Sequence, residues 1–147
     1  MDHVDRLLQL FDLNRQADSP IRSYSNGQQK KIAICSALVA DAPVMLLDEP
    51  FSGGLDPSAL LALKSVLLRL AERADVTVVM ATPVPEIVEG LAHRIAVLRE
   101  GELVAYDTPD GLRELTGCSG PLQEALERLI NPQTLENIER YFEGTAS

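Results

Sequence analysis

At 147 residues and 46% apolar composition, the chain suits one ordinary domain with a real core rather than a disordered segment. A formal charge of -9, with Lys30 and Lys31 the only adjacent cations, argues against nucleic acid as a partner, because phosphate backbones demand clustered positive charge. Its two cysteines, Cys35 and Cys118, form no CxxC pair and do not suggest a disulfide framework, and no apolar run is long enough to span a bilayer.

In chain order, Val4, Leu7, Leu8 and Phe11 recur at helical spacing, so an amphipathic helix begins almost at Met1, and these first residues do not read as a signal peptide. Asp18, Ser19 and Pro20 make a turn. Ser25 and Gln28 stand three apart, the spacing of a capping box, and predict a helix over 26–40 stopped by Asp41, Ala42 and Pro43. With Gly27 in its first turn, that helix mouth offers free amides and a positive dipole end, a seat suited to phosphate. Cys35, beside Ile32, Ile34 and Leu38, reads as a small buried apolar group.

Val44 to Leu47 shows no polar alternation and predicts a strand buried on both faces, as in a parallel sheet covered by helices. It ends in Asp48 and Glu49. Ligands of open α/β sheets bind at the carboxyl edge, where one carboxylate can hold a metal and the other activate water. Asp56 and Pro57 then cap and open a helix whose Leu60, Leu63, Leu67 and Leu70 share a face. Val76 to Ala81 predicts a second buried strand, reached by a right-handed parallel crossover. Pro83 and Pro85 break the chain before a short helix over 86–91. Strands over 94–98 and 102–106, joined at Arg99-Glu100-Gly101, predict a hairpin. Beyond Pro109 the pattern becomes three short helices, around Gly111 to Leu115, Leu122 to Leu129 and Leu135 to Phe142.

The stretches YSNGQ (24–28), VMLLDEP (44–50) and SGGLDP (52–57), followed by HRIAVLREGELVAYDTP (93–109), resemble the signature motif, Walker B strand, D-loop and following strands of the ATP-binding cassette ATPases. The resemblance implies an α/β fold, part of the P-loop NTPase fold, with parallel strands and flanking helices. Residues 1–41 would be the remnant of the helical subdomain carrying the signature motif, 42–108 the C-terminal half of the ATPase core, and 109–147 a helical extension.

By the same resemblance, Asp48 would hold Mg2+ through water and Glu49 would be the catalytic group that orients or deprotonates the attacking water. Ser25, Asn26, Gly27, Gln28 and Asp56 would contact ATP bound by a partner in a head-to-tail dimer of cassettes. A membrane-spanning transporter subunit would be the other partner, and the chain would sit in the cytoplasm at the inner face of the membrane.

Three departures stand out. The sequence contains no G-x-x-x-x-G-K-[ST], so the expectation is a C-terminal part of a cassette, poor in ATP affinity and inactive alone. Pro83 stands where the family's switch histidine follows the strand, while His93 falls one residue before Arg94 on a different element. Asn26 replaces a signature glycine, and Gly53-Gly54 lengthens the D-loop spacing by one. The missing phosphate-loop strand predicts exposed sheet edges and hence a homo-oligomer, including a strand-exchanged dimer. Two readings follow: an energy-coupling transporter ATPase subunit, or a non-hydrolysing interaction module that keeps the fold.

Overall fold

The computed structural model describes residues 2–143, which form two compact units, one ending at Pro83 and one starting at Val84. In the first unit, helix α1 (His3–Leu10) opens on a capping box between Asp2 and Asp5 and buries Leu7, with Phe11 behind it. Two single 3-10 turns follow, Asn14–Gln16 and Ile21–Ser23. Helix α2 (Asn26–Val39) starts where its sequence predicts: Ser25 Oγ accepts from Gln28 N, and Gln28 Oε1 accepts from Ser25 N. Asp41, at φ 40°, takes the left-handed position that follows many helix ends. Lys31, Ile34, Cys35 and Leu38 form the buried face of α2, which packs on α1. Burial pushes the Cys35 thiol up to about 11, so it behaves as an apolar filler.

Strand β1 (Val44–Asp48) pairs in parallel with β2 (Thr77–Ala81), in register from Val44 opposite Thr77 to Asp48 opposite Ala81. Helix α3 (Pro57–Ala71) makes the crossover. Asp56 caps it, Pro57 occupies its first turn, and its Ala59, Leu63 and Leu67 are buried. It packs on β2.

Burial of β1 and β2 on both faces, expected from their unbroken apolar runs, is overturned. Met45 is buried at 6% exposure, but Val44, Leu46 and Val79 are 56%, 75% and 52% exposed. Helix α3 lies on one side, and no layer of described residues covers the other. An unbroken apolar strand signals two faces to be covered, and within these residues only one cover is present.

In the second unit, short helix α4 (Pro85–Val88) precedes the hairpin of β3 (Ile95–Arg99) and β4 (Glu102–Asp107), antiparallel with an irregularity between Val97 and Leu98. Glu100 and Gly101 at φ 52° and 83° form its turn, the backbone a two-residue hairpin loop demands. Helices α5 (Pro109–Thr116) and α6 (Leu122–Ile130) close one face of the hairpin, with Val88, Val97, Ala105, Leu112, Leu122 and Leu126 as its core. Thr108 caps α5, and Arg113 ties it to Glu89 and Asp110. Helix α7 (Pro132–Glu143) follows, with none of its residues buried.

Candidate functional site

The parallel register brings β1 and β2 to the same end point, so Asp48 and Glu49 emerge together at the carboxyl edge of the sheet, both exposed. Glu49 breaks the strand. Its φ is 44°, a conformation that residues bearing a Cβ seldom adopt, and its N–H still donates to Ala81 O at 2.8 Å. The carbonyl of Glu49 is the hub of the following turn: it accepts from Ser52 N at 3.1 Å, Ser52 Oγ at 2.9 Å and Lys30 Nζ at 3.0 Å. The chain then runs through Gly53 and Gly54, at φ 85° and 82°, to Asp56.

This loop returns to the mouth of α2. Gly27 is required there, since a Cβ on it would lie 2.8 Å from Gly54 O. Lys31, at 7% exposure, places Nζ 2.5 Å from Asp56 Oδ2. Asp56 Oδ1 meanwhile accepts from Ala59 N at 2.9 Å and Ser58 Oγ at 2.6 Å. The Lys31 ammonium, then the Ser58 hydroxyl and the Ala59 amide, hold the Asp56 carboxyl well below the usual carboxylate range.

Between the mouth and the loop lies an open cavity of about 470 Å³, lined by Ser25, Gly27 and Gln28 together with Arg15, Lys31, Asp12 and Asp56. Gln16 also lines it, with Oε1 buried and lacking a hydrogen-bond partner among the described residues. The two cations are balanced by two carboxylates. Attraction for an anion therefore rests on the Asn26 and Gly27 amides in the first turn of α2, which have no intrahelical acceptor, Gln28 N being taken by Ser25 Oγ, and on the helix dipole. A phosphate chain fits this seat.

Of the residues singled out from sequence, Ser25, Gly27, Gln28 and Asp56 gather around this cavity, with Asn26 the first residue of α2. Asp48 and Glu49 stand at the sheet edge, joined to α2 through the Glu49 carbonyl. Pro83 is exposed after β2, and His93 is exposed in the loop before β3.

Lys30, Lys31 and Arg15 escaped the sequence reading. Lys31 had a usable signal: it falls on the buried stripe with Ile34, Cys35 and Leu38, and a lysine at a core position demands a carboxylate.

The ABC transporter family model matches residues 1–52. The daunorubicin resistance ATP-binding protein DrrA2 of Streptomyces coeruleorubidus is 31% identical over 94% of this chain and 42% of its own length. The choline transport ATP-binding protein OpuBA of Bacillus subtilis is 34% identical over 91% of this chain and 34% of its own. A solved ATP-binding subunit of an ABC transporter superposes with a TM-score of 0.75 at 29% identity, covering 86% of this chain and 52% of that one.

The chain belongs to the ABC transporter ATP-binding family. It spans less than half the length of these two curated relatives. A dimeric ATP-binding cassette in a post-hydrolysis state, bound to ADP and Pi, also superposes, with a TM-score of 0.62 at 28% identity over 74% of this chain and 49% of that one. The α/β architecture of this chain is that of an ABC ATPase.

Proposed function

We propose that this ABC family chain is the ATP-binding subunit of a membrane transporter, coupling ATP binding and hydrolysis to the movement of a substrate. The observation that carries this reading is the juxtaposition of two carboxylates at the carboxyl edge of a parallel sheet with an amide-rich helix mouth on one connected loop. In this reading Asp48 holds Mg2+. Among the described residues no three His, Cys, Asp or Glu side chains converge, so the rest of the coordination falls to water and phosphate oxygens, as is usual for this ion. Bound Mg2+ would supply charge neutralisation on the phosphates.

Glu49 orients the attacking water and takes its proton. Its left-handed backbone turns the side chain out of the strand's alternation at the sheet edge. Ser25, Asn26, Gly27 and Gln28 donate to the phosphates of a nucleotide held by a neighbouring cassette, and Asp56 lies on the same boundary. The phosphate-loop share of the site comes from polypeptide outside these 147 residues. Pro83 offers no side-chain hydrogen bond, so turnover is slower than with histidine at that place. A peripheral position on the cytoplasmic face, beside a membrane-spanning subunit, follows from the same reading. No described helix is long and apolar enough to cross a membrane itself.

The test is ATP hydrolysis by the chain after it is complemented with a segment carrying G-x-x-x-x-G-K-[ST] from one of its relatives. Activity that Glu49→Gln abolishes is the expected result. Assembly without any Glu49-dependent hydrolysis would instead favour the interaction-module reading, which Pro83 supports.

A further inference from the structure

We propose that Lys30 and Lys31 are positioning residues that latch the loop from Glu49 to Asp56 onto α2, so that the Ser25–Gln28 mouth and the Glu49 carboxylate move as one piece. Three contacts from Gly27, Lys30 and Lys31, spaced i, i+3 and i+4 along α2, carry this. Gly27 meets Gly54 O so closely that a Cβ would lie 2.8 Å from it. Lys30 Nζ donates to Glu49 O at 3.0 Å. Lys31 Nζ pairs with Asp56 Oδ2 at 2.5 Å. The loop is thus gripped at its start, near its middle and at its end by a helix whose entry is itself fixed by a capping box.

The chemistry of each grip suits holding rather than catalysis. A buried ammonium without its carboxylate is costly, so Lys31 keeps Asp56, and with it the start of α3, against α2. A residue with a Cβ persists in left-handed backbone only where its surroundings over-determine it. At Glu49 that over-determination is visible: the carbonyl takes three donors and the amide reaches Ala81. Lys30 is the only one of those donors from outside the strand and its turn, and it comes from the helix that forms the phosphate seat. Displacing the mouth of α2 by a bound anion therefore displaces the Glu49 carbonyl as well.

The functional consequence rests on the nucleotide reading above, but the latch is tested without nucleotide, so either can fail while the other stands. In the full chain, amide hydrogen exchange followed by NMR should show Lys30→Met raising exchange at Glu49 and Ser52 by about tenfold, the loss of one charge-assisted hydrogen bond. Lys30→Arg should restore protection, while the amides of Ile34 to Leu38 stay unchanged in both variants. Lys31→Met should raise exchange at Ala59 and bring the Asp56 carboxyl back toward its ordinary range.

Unchanged exchange at Glu49 and Ser52 in Lys30→Met, or equal acceleration along all of α2, overturns the proposal. Should a variant fail to fold, the unaltered chain decides. Slowly exchanging side-chain ammonium protons on both lysines are expected, and ammonium groups exchanging as freely as that of Lys64 contradict the latch.

Discussion

The two small sheets of this molecule solve the same problem differently. The β3–β4 hairpin is local: one tight turn sets its register, and two helices that follow directly in sequence close one of its faces around Val97, Ala105 and Leu112. The β1–β2 pair is joined through a fifteen-residue helix and keeps an apolar face of Val44, Leu46 and Val79 open. Yet the open pair carries the exposed carboxylates, the strained Glu49 and the loop that meets the mouth of α2. One tight turn sets the register of the hairpin, whereas the edge carrying Asp48 and Glu49 is tied to α2 by contacts between residues distant in sequence, Lys30 with Glu49, Lys31 with Asp56 and Gly27 with Gly54.

That contrast can be broken most forcefully at its cores. Leu112→Ala and Leu63→Ala each empty a fully buried site and should cost about 2–5 kcal/mol in urea unfolding. The Leu112 variant should accelerate amide exchange in β3–β4 and spare β1–β2; uniform acceleration would erase the distinction between the sheets. Gly27→Ala comes next, at about 1–3 kcal/mol, because its Cβ must displace the Gly54 carbonyl. Exchange at Ser52 should rise with it.

Asp56 has a folded pKa below its unfolded one, so its contribution is present above the unfolded value of about 3.9 and is lost as pH falls below that toward the depressed native value. Urea midpoints at pH 7, 4 and 3 should therefore fall less steeply in Asp56→Asn, which keeps a capping side chain but loses the charge that pairs with Lys31. An unaltered acid slope would detach Asp56 from Lys31. The smallest effect belongs to Leu46→Thr. At 75% exposure it should change stability by less than about 0.5 kcal/mol. It should nonetheless reduce self-association in light scattering, since an exposed apolar strand face invites a second surface. Association that ignores this substitution would mean another surface is used.

Most of the element order was readable from the chain because its signals are local. Ser25 with Gln28, Asp56 with Pro57, and the Glu100–Gly101 turn each declare an element boundary within a few residues, and each lies where the structure puts it. The burial of β1 and β2 was not readable. Val44 and Leu46 carry the composition of covered residues, and composition records what a strand is suited to meet, not what lies against it. Ser25, Gly27, Gln28 and Asp56 could be named from the sequence, but not the contacts that gather them around one cavity. Lys31 stands out only by its place on the stripe with Ile34, Cys35 and Leu38, and no local rule links Lys30 to a carbonyl nineteen residues on.

The central claim is that the mouth of α2 and the edge carrying Asp48 and Glu49 are shaped around one kind of ligand. Titrating the chain, complemented with a G-x-x-x-x-G-K-[ST] segment from one of its relatives, with ATP and Mg2+ while following its backbone amides by NMR tests it most directly. Saturable shifts at Asn26, Gly27 and Gln28, weakened by Gly27→Asp, together with Mg2+-dependent shifts at Asp48, are predicted. Amides at these positions that stay still at millimolar nucleotide, while others move, would contradict it.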